Sequence, residues 1–247
     1  MNALVTGASR GIGRAIAFQL AARGVRVVVH YHRNRIAADE TLRALSGKGH
    51  VLASADLTVE ADAHRLWREA SATCGSIDLL INNAGHYEKH PPLETSPEAW
   101  REVWQRTLSA NLTGPATLAH LAAQAMSGTG RGRIVAISSR GAFRGEPSAP
   151  AYGASKAGLN ALHQSLAAAL APHGVQVMVV APGWVDTDMA SPWVRGPQAA
   201  VLRDQHPLGR VATAEEVARV AVFCALDAPA TMTGAVVDVN GASYLRT

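Results

Sequence analysis

Tyr152 and Lys156 lie four residues apart in Ala-Tyr-Gly-Ala-Ser-Lys-Ala-Gly, and on a helix that spacing puts a phenol and an ammonium on one face. Such a pair can move a proton. A phenol is a poor acid near neutrality because it titrates at about 10. A fixed positive charge beside it favours the ionised form, so Lys156 is expected to make Tyr152 a better acid. The same spacing also describes a half-buried tyrosine beside a lysine whose stem lies along apolar surface. Company separates the two readings, and further motifs supply it.

Directly after the first apolar run comes Thr6-Gly7-Ala8-Ser9-Arg10-Gly11-Ile12-Gly13, leading into an amphipathic segment. Glycines allow a tight turn and close backbone approach, and a helix N-terminus offers free N–H groups to a pyrophosphate. Gly7, Ser9, Arg10, Gly11, Ile12 and Gly13 are therefore expected to hold the phosphates of a dinucleotide. The spacing departs from Gly-x-Gly-x-x-Gly, and a turn of this kind can also be simple tight packing. The second strand is expected to carry Tyr31 where an NAD-selective fold places a carboxylate. With Arg10, His32 and Arg33 nearby, the sequence predicts NADP(H) in preference to NAD(H), although arginines are also ordinary solvated surface. Asp56 and Leu57 are expected at the adenine, and Asn83, Ala84 and Gly85 at a ribose; the same residue types also serve as turns and caps.

These residues need a frame that brings them together. Short β-branched runs alternate with helical stretches, predicting strands over Asn2–Thr6, Arg26–Tyr31, His50–Ala53, Ile77–Asn82, Arg133–Ser138, Gln176–Ala181 and Val236–Asn240. Helices are predicted over Ile12–Arg23, Ile36–Ser46, Glu60–Thr73, Pro97–Met126, Ala154–Leu170 and Ala214–Leu226, with Thr58, Ser96 and Thr213 as caps. The alternation implies an α/β, Rossmann-like, doubly wound sheet of seven parallel strands with helices on both faces. In such sheets ligands bind outside the carboxyl ends of the strands, where the strand order reverses.

At 247 residues, 48% hydrophobic and 17% charged, the chain is expected to form one domain over residues 1–247. The net charge of +4 suits an anionic cofactor and falls short of a nucleic-acid signature. Cys74 and Cys224 are expected to be structural thiols, and neither the His30/His32 cluster nor the His86/His90 pair has metal-ligand company, so no metal is expected. The absence of a basic leader or a long apolar run predicts a soluble, cytoplasmic protein with no membrane association.

The ordered set Thr6–Gly13, Asn82-Asn83-Ala84-Gly85, Asn111, Ser138-Ser139, Tyr152-Gly153-Ala154-Ser155-Lys156, Pro182-Gly183 and Thr187 resembles the short-chain dehydrogenase/reductase family over essentially the whole chain. The resemblance implies Ser139 beside the substrate oxygen, Tyr152 as general acid and base, Lys156 on the nicotinamide ribose and Asn111 holding a water that relays protons to it. It also implies that Pro182, Gly183, Val185 and Thr187 bind the nicotinamide side of the cofactor and that residues 188–206 form a substrate lid. The substrate is then a small carbonyl or alcohol, with 3-oxoacyl-carrier-protein reductases and other NADP-dependent ketone reductases the most similar groups. Arg131 or Arg133 is expected to face an acidic carrier, yet His173 stands where an arginine is typical. The chain has Asn240-Gly241-Ala242 where Gly-Gly is frequent. Trp184, Trp193, Met189, Pro192 and Tyr87 either line an apolar substrate pocket or belong to core and subunit contacts. The long helices imply a homotetramer built as a dimer of dimers. The rival class is an NADP-binding sensor without turnover.

Overall fold

The computed structural model describes residues 1–197 and 199–246, with the side chain of Pro192 outside that set. Seven parallel strands form one sheet in the order β3-β2-β1-β4-β5-β6-β9: β1 Asn2–Val5, β2 Arg26–Tyr31, β3 Val51–Ser54, β4 Leu79–Asn82, β5 Gly132–Ile137, β6 Val175–Pro182 and β9 Val236–Val239. All seven predicted strands are present, each within two residues at either end. The helices are α1 Gly11–Ala22, α2 Arg35–Ala44, α3 Glu60–Cys74, α4 Pro97–Leu108, α5 Gly114–Ser127, α6 Gly141–Arg144, α7 Pro150–Leu170, α8 Ser191–Val194, α9 Ala199–Asp204 and α10 Ala214–Val222.

Alternate strand residues feed two cores, as the two-residue side-chain period requires. Val5, Val29, Ile81, Val135 and Val180 pack with α1 and α10 on one face. Leu4, Val28, Leu80, Ile134 and Val177 pack with α3 and α5 on the other. The strand order reverses between β1 and β4, and the crevice there opens at the strands' carboxyl ends.

Several details depart from the sequence expectations, among them the short helices α6, α8 and α9 and a π-helical turn at Phe223–Asp227 that ends the helix predicted over Ala214–Leu226. A two-stranded parallel sheet, β7 Val185–Asp186 with β8 Ala212–Thr213, joins the segments on either side of α8 and α9. The helix predicted over Pro97–Met126 is interrupted by one turn of π-helix at Ser109–Thr113; an apolar periodicity of 3.6 passes through one extra residue almost unmarked. Thr58 does not cap α3. Its hydroxyl and N–H both donate to Asp56 Oδ1, at 2.7 and 3.0 Å. Ser96 caps α4, Thr213 and Glu216 form a reciprocal capping box on α10, and Asn34 caps α2. No helix among the described residues is long and apolar enough to cross a membrane.

Candidate active site

A cavity of about 710 Å³ runs along the carboxyl end of the sheet, from the glycine-rich turn after β1 to the segment after β6. At its nucleotide end the turn is built for close approach. Gly7 and Gly11 have φ of +64° and +55°, a region that favours glycine. A Cβ on Gly13 would strike the Gly7 carbonyl and Asn83 Nδ2. From below, Thr6 Oγ1 accepts the N–H groups of Asn83 and Ala84, each at 2.9 Å, and Asn83 Nδ2 donates to the Thr6 carbonyl at 2.8 Å. α1 has no side-chain cap at Arg10 and no acidic residue in its first turn, so its N-terminal N–H groups and dipole suit a diphosphate. Gly7, Ser9, Arg10, Gly11 and Ile12 line the cavity, whereas Gly13 supports the turn from beneath.

The second strand corrects one expectation. Tyr31 is buried and is no part of the cavity wall, which is formed instead by His30 and His32, together with Arg33. Side chains alternate along β2, so the two histidines share the face that Tyr31 leaves. His30 Nδ1 accepts the Gly7 N–H at 3.0 Å, and its Nε2 contacts the Ala55 carbonyl at 3.1 Å. Burial pulls its pKa down to about 4, so it is a neutral brace for the glycine turn. Nothing in the residue spacing singled out His30 for that task; it read as part of a basic cluster. His32 Nε2 lies 3.3 Å from Asp56 Oδ2. Burial works against the Asp56 carboxylate, but the Thr58 hydrogen bonds and the charges of His32 and Arg33 hold it below its ordinary range. Asp56, Leu57, Asn83, Ala84 and Gly85 all line the cavity as expected.

At the other end stand Ser139, Tyr152 and Lys156. Pro150 opens α7, where no side chain caps Ala149. The Ala151 N–H instead donates to His90 Nε2 at 3.0 Å, fixing the first turn that carries Tyr152. Ser139 Oγ accepts the Gly141 N–H at 3.0 Å and stands near enough to the Tyr152 phenol to favour its ionised form. Ser138 points away, its hydroxyl donating to the Lys156 carbonyl at 3.3 Å.

Lys156 stands beside Tyr152, but burial is the larger influence on the phenol. Burial pushes the phenol up to about 12, Glu146 and Tyr87 add to the rise, and Ser139 opposes it. Burial also pulls the lysine down to about 8. Its Nζ donates to the Ile137 carbonyl at 2.8 Å and lies 5.8 Å from the centre of the Tyr152 ring.

Asn111 is fully buried in the π-helical turn and is no part of the cavity wall. Its Oδ1 accepts the His86 N–H at 2.7 Å, while Nδ2 donates to the His86 carbonyl at 2.9 Å and to Ser155 Oγ at 3.1 Å. Its side chain thus ties the Asn83–His86 loop to α7. Gly85 separates it from Lys156: a Cβ there would meet Lys156 Nζ at 3.5 Å and Asn111 Oδ1 at 3.6 Å.

Pro182, Gly183, Val185 and Thr187 line the cavity after β6. The Thr187 side chain would lie 3.4 Å from a Cβ on Gly11, so the far end of the chain closes over the glycine turn. Tyr87, Trp184, Met189 and Trp193 form the apolar side. Tyr87 packs edge-on against Tyr152 and Trp193 at 5.1 and 5.5 Å between ring centres. Arg133 lies at the amino end of β5, away from this mouth, with Nη1 donating to the Cys224 carbonyl at 3.0 Å. Arg131 immediately precedes that strand. Neither can serve its own subunit's cavity as a docking cation.

The arrangement provides an anion cradle at one end and a serine–tyrosine–lysine set at the other. Residues 7–242 match the family model described as enoyl-(acyl carrier protein) reductase. The chain belongs to the short-chain dehydrogenase/reductase family, whose members are oxidoreductases acting on CH–OH and C=O groups. It is 36% identical over 244 residues to the 3-oxoacyl-[acyl-carrier-protein] reductase FabG of Escherichia coli K12, covering 98% of this chain and 97% of that protein. It is 38% identical to the cis-4-hydroxycyclohexanecarboxylate dehydrogenase of Sinomonas cyclohexanicum, covering 97% and 94%. A crystal structure described as ribose-5-phosphate isomerase from Brucella melitensis 16M superposes with a TM-score of 0.88 at 32% identity, covering 97% of this chain and 91% of that one.

Proposed function

We propose that this oxidoreductase interconverts a ketone and a secondary alcohol with NADP(H), Tyr152 exchanging the proton at the substrate oxygen. The observation that carries the reading is the single cavity joining the glycine-rich turn to Ser139, Tyr152 and Lys156. A bound nicotinamide supplies or accepts the hydride. Gly7, Ser9, Arg10, Gly11 and Ile12 hold the diphosphate side, Arg33 and His32 face the 2′-phosphate, and Asp56 with Leu57 borders the adenine. Asn83, Ala84, Gly85 and Lys156 border the ribose, and Pro182, Gly183, Val185 and Thr187 the carboxamide.

With its pKa near 12, Tyr152 is protonated at neutral pH and suits the donor role in carbonyl reduction. Ser139 orients the same oxygen, and Asn111 through a bound water connects Lys156 to solvent. The relative named as 3-oxoacyl-[acyl-carrier-protein] reductase supports a 3-oxoacyl thioester as one candidate substrate. The cis-4-hydroxycyclohexanecarboxylate dehydrogenase supports a smaller cyclic one. We further propose a cytoplasmic homotetramer in which α4, α5 and α7 pair between subunits. Scattering that shows a monomer would refute that assembly.

Tyr152→Phe tests the chemistry. Turnover on a panel of ketones and 3-oxoacyl thioesters should fall by roughly a thousandfold or more while the Kd for NADPH stays within a few-fold. Unchanged turnover removes Tyr152 from the mechanism, and a protein that binds NADPH yet turns over no carbonyl is the sensor instead. The same panel run with both cofactors should favour NADPH at least about tenfold, equivalent to about 1.4 kcal/mol; equal use of NADH refutes the roles of Arg10, His32 and Arg33.

A further inference from the structure

Arg140 follows Ser139 directly and lines the same cavity, yet it is only 4% exposed. Its backbone N–H donates to the Pro182 carbonyl at 2.8 Å, which anchors the residue at the carboxyl ends of β5 and β6. The guanidinium is poorly used. Among the described residues Nη1 has no hydrogen-bond partner, and Nη2 reaches only Gln205 Oε1 at 3.4 Å, a long contact for such a bond. No described carboxylate stands within 4.0 Å of it.

A guanidinium has five donors and is seldom buried without a partner, because desolvation then goes uncompensated. Burial and the nearby charge of Arg144 bring its pKa down to about 10, with Glu146 acting the other way. Glu146 is itself a reluctant anion, since burial raises its pKa despite Arg144 and Arg140. Arg140 and Glu146 both line the cavity, with Arg144 exposed outside it, and a carboxyl that resists ionisation leaves the Arg140 charge poorly compensated. A planar anion presented to the fork of Arg140 would supply that compensation with paired, charge-assisted hydrogen bonds.

We propose that Arg140 determines specificity by taking a carboxylate of the substrate, so that the preferred ketone is a keto acid whose carbonyl lies at Ser139 and Tyr152. The inference rests on the carbonyl-reduction reading above and narrows its substrate class. Trp184 and Trp193, whose rings are 5.8 Å apart, border the space in which the carbon skeleton lies. Gln205, at the end of α9, covers the anion once it is seated.

Binding and turnover test the idea separately. Calorimetry with the NADPH-saturated protein, and again without NADPH, should show benzoate binding at least tenfold more tightly than benzamide. Arg140→Met should remove that preference while leaving benzamide and NADPH affinities unchanged, and Arg140→Lys should retain part of it. In turnover, 4-oxopentanoate should exceed its methyl ester at least tenfold in kcat/KM, with the ratio near one in Arg140→Met. Equal affinity for benzoate and benzamide, or an equal fall for both in Arg140→Met, overturns the proposal; the equal fall would make Arg140 a tether for the lid through Gln205. Reduction of the ester in preference to the acid overturns it too, leaving the reductase reading intact. Benzoate preference with no turnover of either ketone upholds the anion site and overturns the carbonyl chemistry.

Discussion

Replacing Lys156 by methionine should make the cofactor-free protein more stable at neutral pH while abolishing turnover. Burial lowers the lysine from 10.5 to about 8. At about 1.36 kcal/mol per pH unit, holding the charged form in the folded chain costs about 3 kcal/mol below pH 8. Methionine removes that cost but leaves the Ile137 carbonyl without its donor, a loss of about 1–2 kcal/mol. The net gain is about 1–2 kcal/mol at pH 7, or roughly 2–8 °C in Tm for a chain of this length. The sign with pH follows from proton counting. Between about pH 8 and 10.5 the unfolded lysine holds its proton while the folded one has released it, so wild-type stability rises with pH through that window relative to the variant. Urea or thermal unfolding of both proteins at matched concentration, at pH 7 and pH 10, reads the difference directly. A variant less stable than wild type at pH 7, or a difference that is the same at both pH values, would refute the reasoning.

Gly13→Ala should destabilise the fold and weaken NADPH binding more than tenfold by calorimetry, because the new Cβ meets the Gly7 backbone carbonyl and Asn83 Nδ2, and Nδ2 is held in place by its bonds to the Thr6 and Gly7 carbonyls. Thr213→Ala should cost about 1 kcal/mol in urea unfolding by breaking the capping box on α10, with little change in kcat. His30→Leu should loosen the glycine turn by removing the acceptor for the Gly7 N–H; the expected outcome is a raised Kd for NADPH at unchanged Tyr152 chemistry, and an unaltered Kd would show that the turn needs no brace.

Much of the frame was legible in the sequence, because the strands of the main sheet are short apolar runs and the helices packed on it longer periodic ones, whereas the short α6, α8 and α9 carry too few residues to show a period. The short β7–β8 pairing was not, since two residues carry no periodicity. That Ser139, Tyr152 and Lys156 share one cavity was legible because helical spacing and order along the chain bring them together. Their electrostatics were not, because charge proximity was visible in spacing whereas burial, which dominates both pKa values, is a property of the packed protein. Tyr31 was misassigned by one position on β2, enough in a strand to send a side chain to the opposite face. Arg140 carried no spacing signal at all, and its significance arises from being buried without a partner.

The π-helical turn at Ser109–Thr113 sets a phase between two helical segments. A π turn takes up one extra residue within a single wider turn, so removing a residue there would let α4 and α5 run as one uninterrupted rod with their core faces kept and only the turn itself repositioned. Asn111 could then no longer face both His86 and Ser155. A chain one residue shorter would keep its helix content and its core stripes nearly intact, yet the loop beside Lys156 would lose its moorings. The extra residue acts as a local offset, trading helical regularity for alignment between the Asn83–His86 loop and α7.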